Sequence, residues 1–395
     1  MKKLISVLLA ALLLLSLAVP ALAEDGAGAK ELQFRADGGF RILNICDIQD
    51  IYPMNQTTHA FIEEALALYK PDLVILGGDN CVAPQENKEA AIKEICDLFV
   101  NAETDFTLVF GNHDNEQGVD KETLLGYYQQ FGGAHCLAYD AEPALFGTGT
   151  HSLPIRSSDG SKVAFQLYMF DSNTYVSDAD GNHLGYDAVH EDQIAWYKST
   201  AAALAAENGG QVVPAMAFQH IVVQEAYDAL FYRAPQSGGD LTNDFDGVSY
   251  TYLPKAAAIQ EGFMFEAPCP GYYNYGQLDA MAETGDVIAV FSGHDHTNDY
   301  TLNIKGIDVI NTAGCTFHSY GKPINRGCRV IELNENDPTA YTTYTYTMAE
   351  QALQPGSTLT DYGDLSAAQA RLALLERKLL GALMDVLRIL FFFAK

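Results

Sequence analysis

From Phe40 onward, short hydrophobic runs alternate with longer amphipathic stretches. The segments FRILNIC (40–46), DLVILGG (72–78) and FTLVFG (106–111) are short and almost continuously apolar, so they predict strands buried on both faces. Between them, TTHAFIEEALALYK (57–70) and NKEAAIKEICDLFVNA (87–102) place apolar residues at helical spacing, the first with Thr57 or Thr58 as its cap. Repeated strand–helix units of this kind predict a largely parallel sheet. Further strands are predicted at 163–171, 212–218, 287–292, 299–304, 307–311 and 328–333, with helices near 190–206 and 274–284. The last four strands follow one another closely, which predicts a mixed or antiparallel part of the sheet. Segment 221–273 is rich in Tyr, Phe, Gly, Asp and Pro without sustained periodicity. It reads as a long loop insertion over the sheet edge, and together with loop 144–155 it is expected to frame a substrate entrance. The tail 349–395 ends in a helical, increasingly apolar stretch interrupted by Asp385 and Arg388, expected to be a packing or interfacial helix and able to touch a membrane surface peripherally.

The first 23 residues have Lys2 and Lys3, an apolar run from Leu4 to Val19 and Ala21-Leu22-Ala23, the pattern of a cleavable secretory leader. Residues 24–38 then form a linker, and 39–348 the main domain. Export to the extracellular space or cell envelope is the expectation. The formal net charge of −28 argues against a nucleic-acid backbone or an anionic membrane as the main partner. An anionic substrate then needs local positive charge, which bound metal ions supply. Seven cysteines (46, 81, 96, 136, 269, 315 and 328) are odd in number and unclustered, which is not the pattern of a disulfide framework, although a single bridge stays open.

Candidate chemistry gathers at the strand ends. Asp47 and Gln49 follow the first strand, Asp79 the second, Asn112, His113 and Asp114 the third, His220 a later one, and His294 and His296 another. Open α/β sheets build sites at the carboxyl ends of their strands. Taken singly, an Asp after a strand is usually a turn residue or helix cap, and two histidines at i and i+2 can serve packing. Together, five strand-end motifs all supply oxygen or imidazole donors.

In their order, Asp47-Ile48-Gln49, Gly78-Asp79, Gly111-Asn112-His113-Asp114, His220 and Gly293-His294-Asp295-His296, these motifs resemble the calcineurin-like metallophosphoesterase superfamily, with its D-x-H, G-D, G-N-H-[DE], H and G-H-x-H. The resemblance spans about residues 39 to 335. VFGNHDNE, FDSNTY, DQIAWY, AFQHIVVQEAY, GHDHTNDY and RGCRVIEL are similar to one branch, the purple-acid-phosphatase-like proteins and the yeast dose-dependent cell-cycle-regulator phosphatases. The resemblance implies a four-layer α/β/β/α sandwich of two mixed sheets flanked by helices. It implies two divalent metal ions, one held by Asp47, Gln49, Asp79 and His296, the other by Asp79, Asn112, His220 and His294, with Asp79 shared. It further implies a phosphohydrolase that cleaves a small phosphomonoester by attack of a metal-bridging hydroxide, His113 protonating the leaving group or steadying the phosphoryl oxygens and Asp114 orienting His113. A phosphodiester or nucleotide substrate is the alternative within the class, and a non-catalytic surface binding protein the alternative outside it. His318 and Arg326 are expected substrate contacts. Gln49 stands where the superfamily has histidine, and an amide oxygen favours Mn²⁺ over Zn or Fe, both of which remain candidates. Asp79 is followed by Asn80, Cys81 and Val82 and not by the tyrosine ligand of coloured relatives, so a purple enzyme is not expected.

Overall fold

The computed structural model describes residues 31–233, 241–245 and 248–392; the expected leader, residues 1–23, lies outside the described residues. One sheet runs in the order Tyr341–Thr347, Gly327–Asn334, Gly39–Ile45, Leu73–Gly77, Phe106–Val109. Its last three strands are parallel, as the strand–helix repeats require, and Gly327–Asn334 lies antiparallel to both its neighbours. The other sheet runs Leu32–Gln33, His151–Arg156, Val163–Met169, Ala215–Phe218, Val287–Ser292, Ile307–Asn311, Thr301–Ile304. Val163–Met169, Ala215–Phe218, Val287–Ser292 and Ile307–Asn311 are mutually parallel, and Thr301–Ile304 turns back antiparallel, so the crowded late strands form the mixed edge expected of them.

The continuous apolar runs are explained by burial on both faces. Along Gly39–Ile45, Phe40 and Ile42 point between the sheets, where they meet Phe165, Leu167, Phe218 and Phe291. Leu43 and Ile45 point the other way, against Phe61, Ile92 and Phe99 of the helices Gln56–Tyr69 and Gln85–Asn101. The outer face of the second sheet is covered in the same manner by Ile194 and Tyr197 of Glu191–Glu207 and by Leu278 and Met281 of Gln277–Thr284. The order of layers is helix, sheet, sheet, helix, and the fold is the α/β/β/α sandwich. Phe291 stacks on Phe218 across the middle of it, ring centroids 5.0 Å apart. Phe291→Ala should therefore cost about 3–5 kcal/mol, read as a lower urea midpoint at unchanged slope.

Five parts of the chain differ from the sequence reading. Residues 32 and 33, within the stretch read as linker, pair with Ile155 and Arg156. Loop 144–155 gives way to the strand His151–Arg156. Helix Lys121–Gly132 and edge strand Tyr341–Thr347 were not anticipated. Segment 221–273 is not only loop: it holds the helix Glu225–Leu230 and a sheet of Phe231–Arg233, Val248–Pro254 and Leu241–Phe245. All seven cysteines are free thiols.

Candidate metal centre

The parallel strands of both sheets end at the same edge of the sandwich, and the chain leaves each of them through a tight loop. Four of the residues carried there, Asp47, Gln49, Asp79 and His294, have φ between 40° and 71°, the left-handed region that costs a non-glycine residue on the order of 1–3 kcal/mol. The loops are stitched together by backbone hydrogen bonds, Asp47 N to Gly78 O (3.0 Å), Gln49 N to Asp79 O (2.8 Å) and Gly293 N to His220 O (3.1 Å), which maintain that conformation. Two motif glycines have a steric reason. A Cβ at Gly111 would sit 2.1 Å from Asp79 Oδ1, and one at Gly78 would sit 2.5 Å from the His220 ring.

The result is a buried knot of carboxylates and imidazoles. His220 Nε2 lies 3.1 Å from Asp79 Oδ2 and 3.9 Å from Asp47 Oδ1, and His296 Nε2 lies 3.3 Å from Asp47 Oδ1. The ligand atoms of Asp79, His220 and His294 all fall within 4.8 Å of one another. The Nδ1 atoms are engaged on the far side, His220 with Gly77 O at 2.9 Å and His296 with Tyr320 O at 3.0 Å, which leaves Nε2 of each ring for the interior of the cluster. Burial alone would depress His220, but Asp79 and Asp47 together with the Gly77 carbonyl bring it up to about 10. His294 is pushed the other way, by burial and by the neighbouring His220, and stays neutral. Asp79 is held well below the usual carboxylate range by His220, His113 and His294, against the opposing effect of its burial.

Whether these residues suit a cation can be tested on the atoms left over. Asp47 Oδ1, Asn112 Oδ1, His220 Nε2 and His294 Nε2 are all buried and without a hydrogen-bond partner. Each such atom costs about 1–3 kcal/mol if nothing meets it. Four in one cluster, all donors of the kind that bind divalent ions, fit metal. Gln49 needs one adjustment. Its Nε2 donates to Asp79 Oδ2 at 2.9 Å, and a half-turn of the amide would present the oxygen instead, an orientation that two facing oxygens favour only with a cation between them.

Residues 40–298 match the family described as Calcineurin-like phosphoesterase. The chain belongs to that family. Among relatives, "Probable inactive purple acid phosphatase 14" of Arabidopsis thaliana is 27% identical over 360 residues, covering 83% of each chain. "Phosphatase DCR2" of Saccharomyces cerevisiae is 24% identical over 296 residues, 70% of this chain and 47% of that one. A solved structure, a dimetal phosphatase from Danio rerio, aligns with 78% of this chain and 99% of its own at 12% identity and a TM-score of 0.47. As a calcineurin-like phosphoesterase the chain is a metal-dependent phosphoric ester hydrolase.

The structure brings together Asp47, Gln49, Asp79, His220, His294 and His296, buries Asn112 between Gly111 and His113, and sets His113 beside the cluster, its Nε2 4.0 Å from Asp79 Oδ2 and its side chain partly open to solvent. One expectation is corrected, and the two residues expected to contact substrate are located. Asp114 does not orient His113: its Oδ1 accepts from the backbone of Asn80 (2.9 Å) and Cys81 (3.1 Å) and its Oδ2 from Gly111 (2.8 Å), so it ties two ligand loops together. Arg326 is buried over the Phe317 ring at 4.3 Å, with Cys315 and Asp364 as its electrostatic neighbours, and touches no ligand residue. His318 is an exposed residue with Asp50 among its electrostatic neighbours.

Other residues do surround the cluster. Glu116 Oε2 is 2.6 Å from His113 Nδ1, its Oε1 accepts from Tyr175 OH at 2.6 Å, and Tyr175 OH accepts from Asn112 Nδ2 at 2.9 Å. Tyr320 stacks on His296 at 4.2 Å, and Tyr186 meets His294 edge-on at 4.3 Å. These tyrosines come from the small hairpin Tyr175–Ser177/His183–Tyr186 and from the loop before Gly327, not from 144–155 or 221–273. The GNHDNE string held a signal for Glu116, since residues three apart in a tight turn can meet. Nothing in spacing pointed to the tyrosines.

Proposed function

We propose that this calcineurin-like phosphoesterase is an exported phosphomonoesterase that works with two divalent ions, Mn²⁺ preferred. The reading is carried by the four buried donor atoms of Asp47, Asn112, His220 and His294 that lack a hydrogen-bond partner, a set that divalent cations would satisfy together. Asp47, Gln49, Asp79 and His296 would hold one ion, and Asp79, Asn112, His220 and His294 the other. Ions bound there supply Lewis acidity, acidifying a water and offsetting charge on the phosphoryl oxygens. His113 is placed at the edge of the cluster, with Nδ1 engaged by Glu116 and Nε2 facing inward, so Nε2 is the atom that hands a proton to the leaving oxygen. Tyr175, Tyr186 and Tyr320 line the cluster with rings on which an aryl or nucleoside group can lie. Support for a monoester comes from the yeast relative named as a phosphatase, and support for export from the leader pattern of residues 1–23. A panel of monoesters, diesters and nucleotides assayed with each metal tests the substrate class. Monoesters should turn over fastest, and a preference for diesters would reassign it.

Two substitutions test individual parts. Gln49→His should move the preferred ion from Mn²⁺ toward zinc or iron and tighten that site, seen by titrating metal-stripped protein with each ion. If the native protein already prefers zinc and the substitution changes nothing, Gln49 does not set the metal. Glu116→Gln should lower kcat by about 10–100-fold with metal content and KM unchanged, the loss growing with the basicity of the leaving group. A fall in bound metal at constant leaving-group dependence would instead make Glu116 part of the scaffold around Asn112.

A further inference from the structure

The C-terminal helix Ala367–Phe392 has two apolar faces, and the sandwich uses only one. Ser366 and Gln369 cap its start, and Ala370 and Ala373 are buried against the first helical layer. Farther along, Arg377 donates to Asp299 Oδ2 (2.8 Å) and Ile324 O (3.2 Å), Met384 packs on the second core, and Arg388 donates to Ile259 O (3.0 Å). These contacts fix the rotation of the helix along most of its length. On the opposite side Leu372, Leu375, Leu379, Leu383 and Val386 are each 52–64% exposed. Their spacing of three, four, four and three residues winds them into one narrow stripe, with Leu372, Leu375, Leu379 and Val386 at the heptad positions of a two-helix coiled-coil seam and Leu383 beside it.

We infer that this stripe is a self-association surface on which the same helix of a second copy docks. With Leu372, Leu379 and Val386 at position a and Leu375 and Ala382 at d, the flanking positions carry Arg371 at g, Glu376 at e and Lys378 at g. A parallel pair then sets Arg371 of each copy beside Glu376 of the other and lays the Lys378 stem on Leu383, with no like charges opposed. A lipid surface fits less well. The stripe is bordered by charges of both signs, Arg371, Glu376, Lys378 and Asp385, where an interfacial helix carries mostly Lys and Arg, and the chain as a whole is strongly acidic. No helix among the described residues is long and apolar enough to cross a membrane. Because each helix is already formed and anchored to its own body, pairing does not have to meet the cost of ordering it.

Sedimentation of the protein expressed from the full chain, over a dilution series, tests this. A concentration-dependent dimer is expected. Leu375→Glu with Leu379→Glu should leave a monomer with wild-type Tm and specific activity. Arg371→Glu should weaken the dimer about tenfold, and adding Glu376→Arg should restore it, a rescue that does not depend on the leucine variant folding. A protein that is monomeric throughout, a leucine variant that still dimerises, or a monomer that floats with phosphatidylcholine vesicles through the same leucines would each overturn the inference.

Discussion

An Asp79→Asn protein is expected to fold normally, to lose most of its divalent metal, and to hydrolyse an aryl phosphate at least about a thousandfold more slowly than wild type. Asp79 meets residues assigned to both halves of the cluster: Gln49 and His220 reach its Oδ2, and the His113 backbone donates to its Oδ1 at 2.8 Å. Asparagine keeps the shape and an acceptor for that backbone bond, so the loops stay in place. What it removes is the charge that two cations would share. Metal analysis and thermal melting on the same preparation separate the outcomes. Two tightly held equivalents in the mutant would break the assignment of Asp79 as the shared ligand.

His113→Ala should give the opposite pattern, with both ions retained and turnover impaired according to substrate. Esters of basic alcohols need their leaving oxygen protonated, and should slow by about 10²–10⁴-fold, whereas esters of acidic phenols should slow much less. The side chain is partly exposed and stands 4.0 Å from Asp79, so its loss leaves no buried ligand unpaired. A loss that is equal across leaving groups would assign His113 to electrostatic stabilisation or positioning.

How much of this was legible in the sequence differs between fold and site. Strands buried on both faces announce themselves as continuous apolar runs, and Gly39–Ile45, Leu73–Gly77 and Val287–Ser292 were read for that reason. Tyr341–Thr347 was missed because it is an edge strand of alternating Tyr and Thr with no apolar run, and His151–Arg156 because Pro154 interrupts it. Helix Lys121–Gly132 was missed because Gly126 and polar residues dilute its apolar face. In the site, the candidate donors could be read because metal chemistry restricts both residue type and position after a strand. Asp114 was misjudged because sequence adjacency to His113 suggested contact, whereas the tight turn directs its carboxylate to the backbone of a different loop. Glu116, Tyr175 and Tyr320 act by touching ligands from outside, an arrangement that only folding creates.

The relative from Arabidopsis thaliana carries "inactive" in its name, so whether the donor set of this chain supports hydrolysis is the central question. Its most direct test is the hydrolysis of a generic aryl phosphate by protein stripped of metal with a chelator, measured before and after divalent ions are restored. The stripped protein should show no turnover, adding Mn²⁺ should restore it with saturation at two equivalents, and Asp79→Asn should not recover. Turnover that persists without metal, or a protein that binds two ions and hydrolyses no phosphoester with any of them, would contradict the assignment.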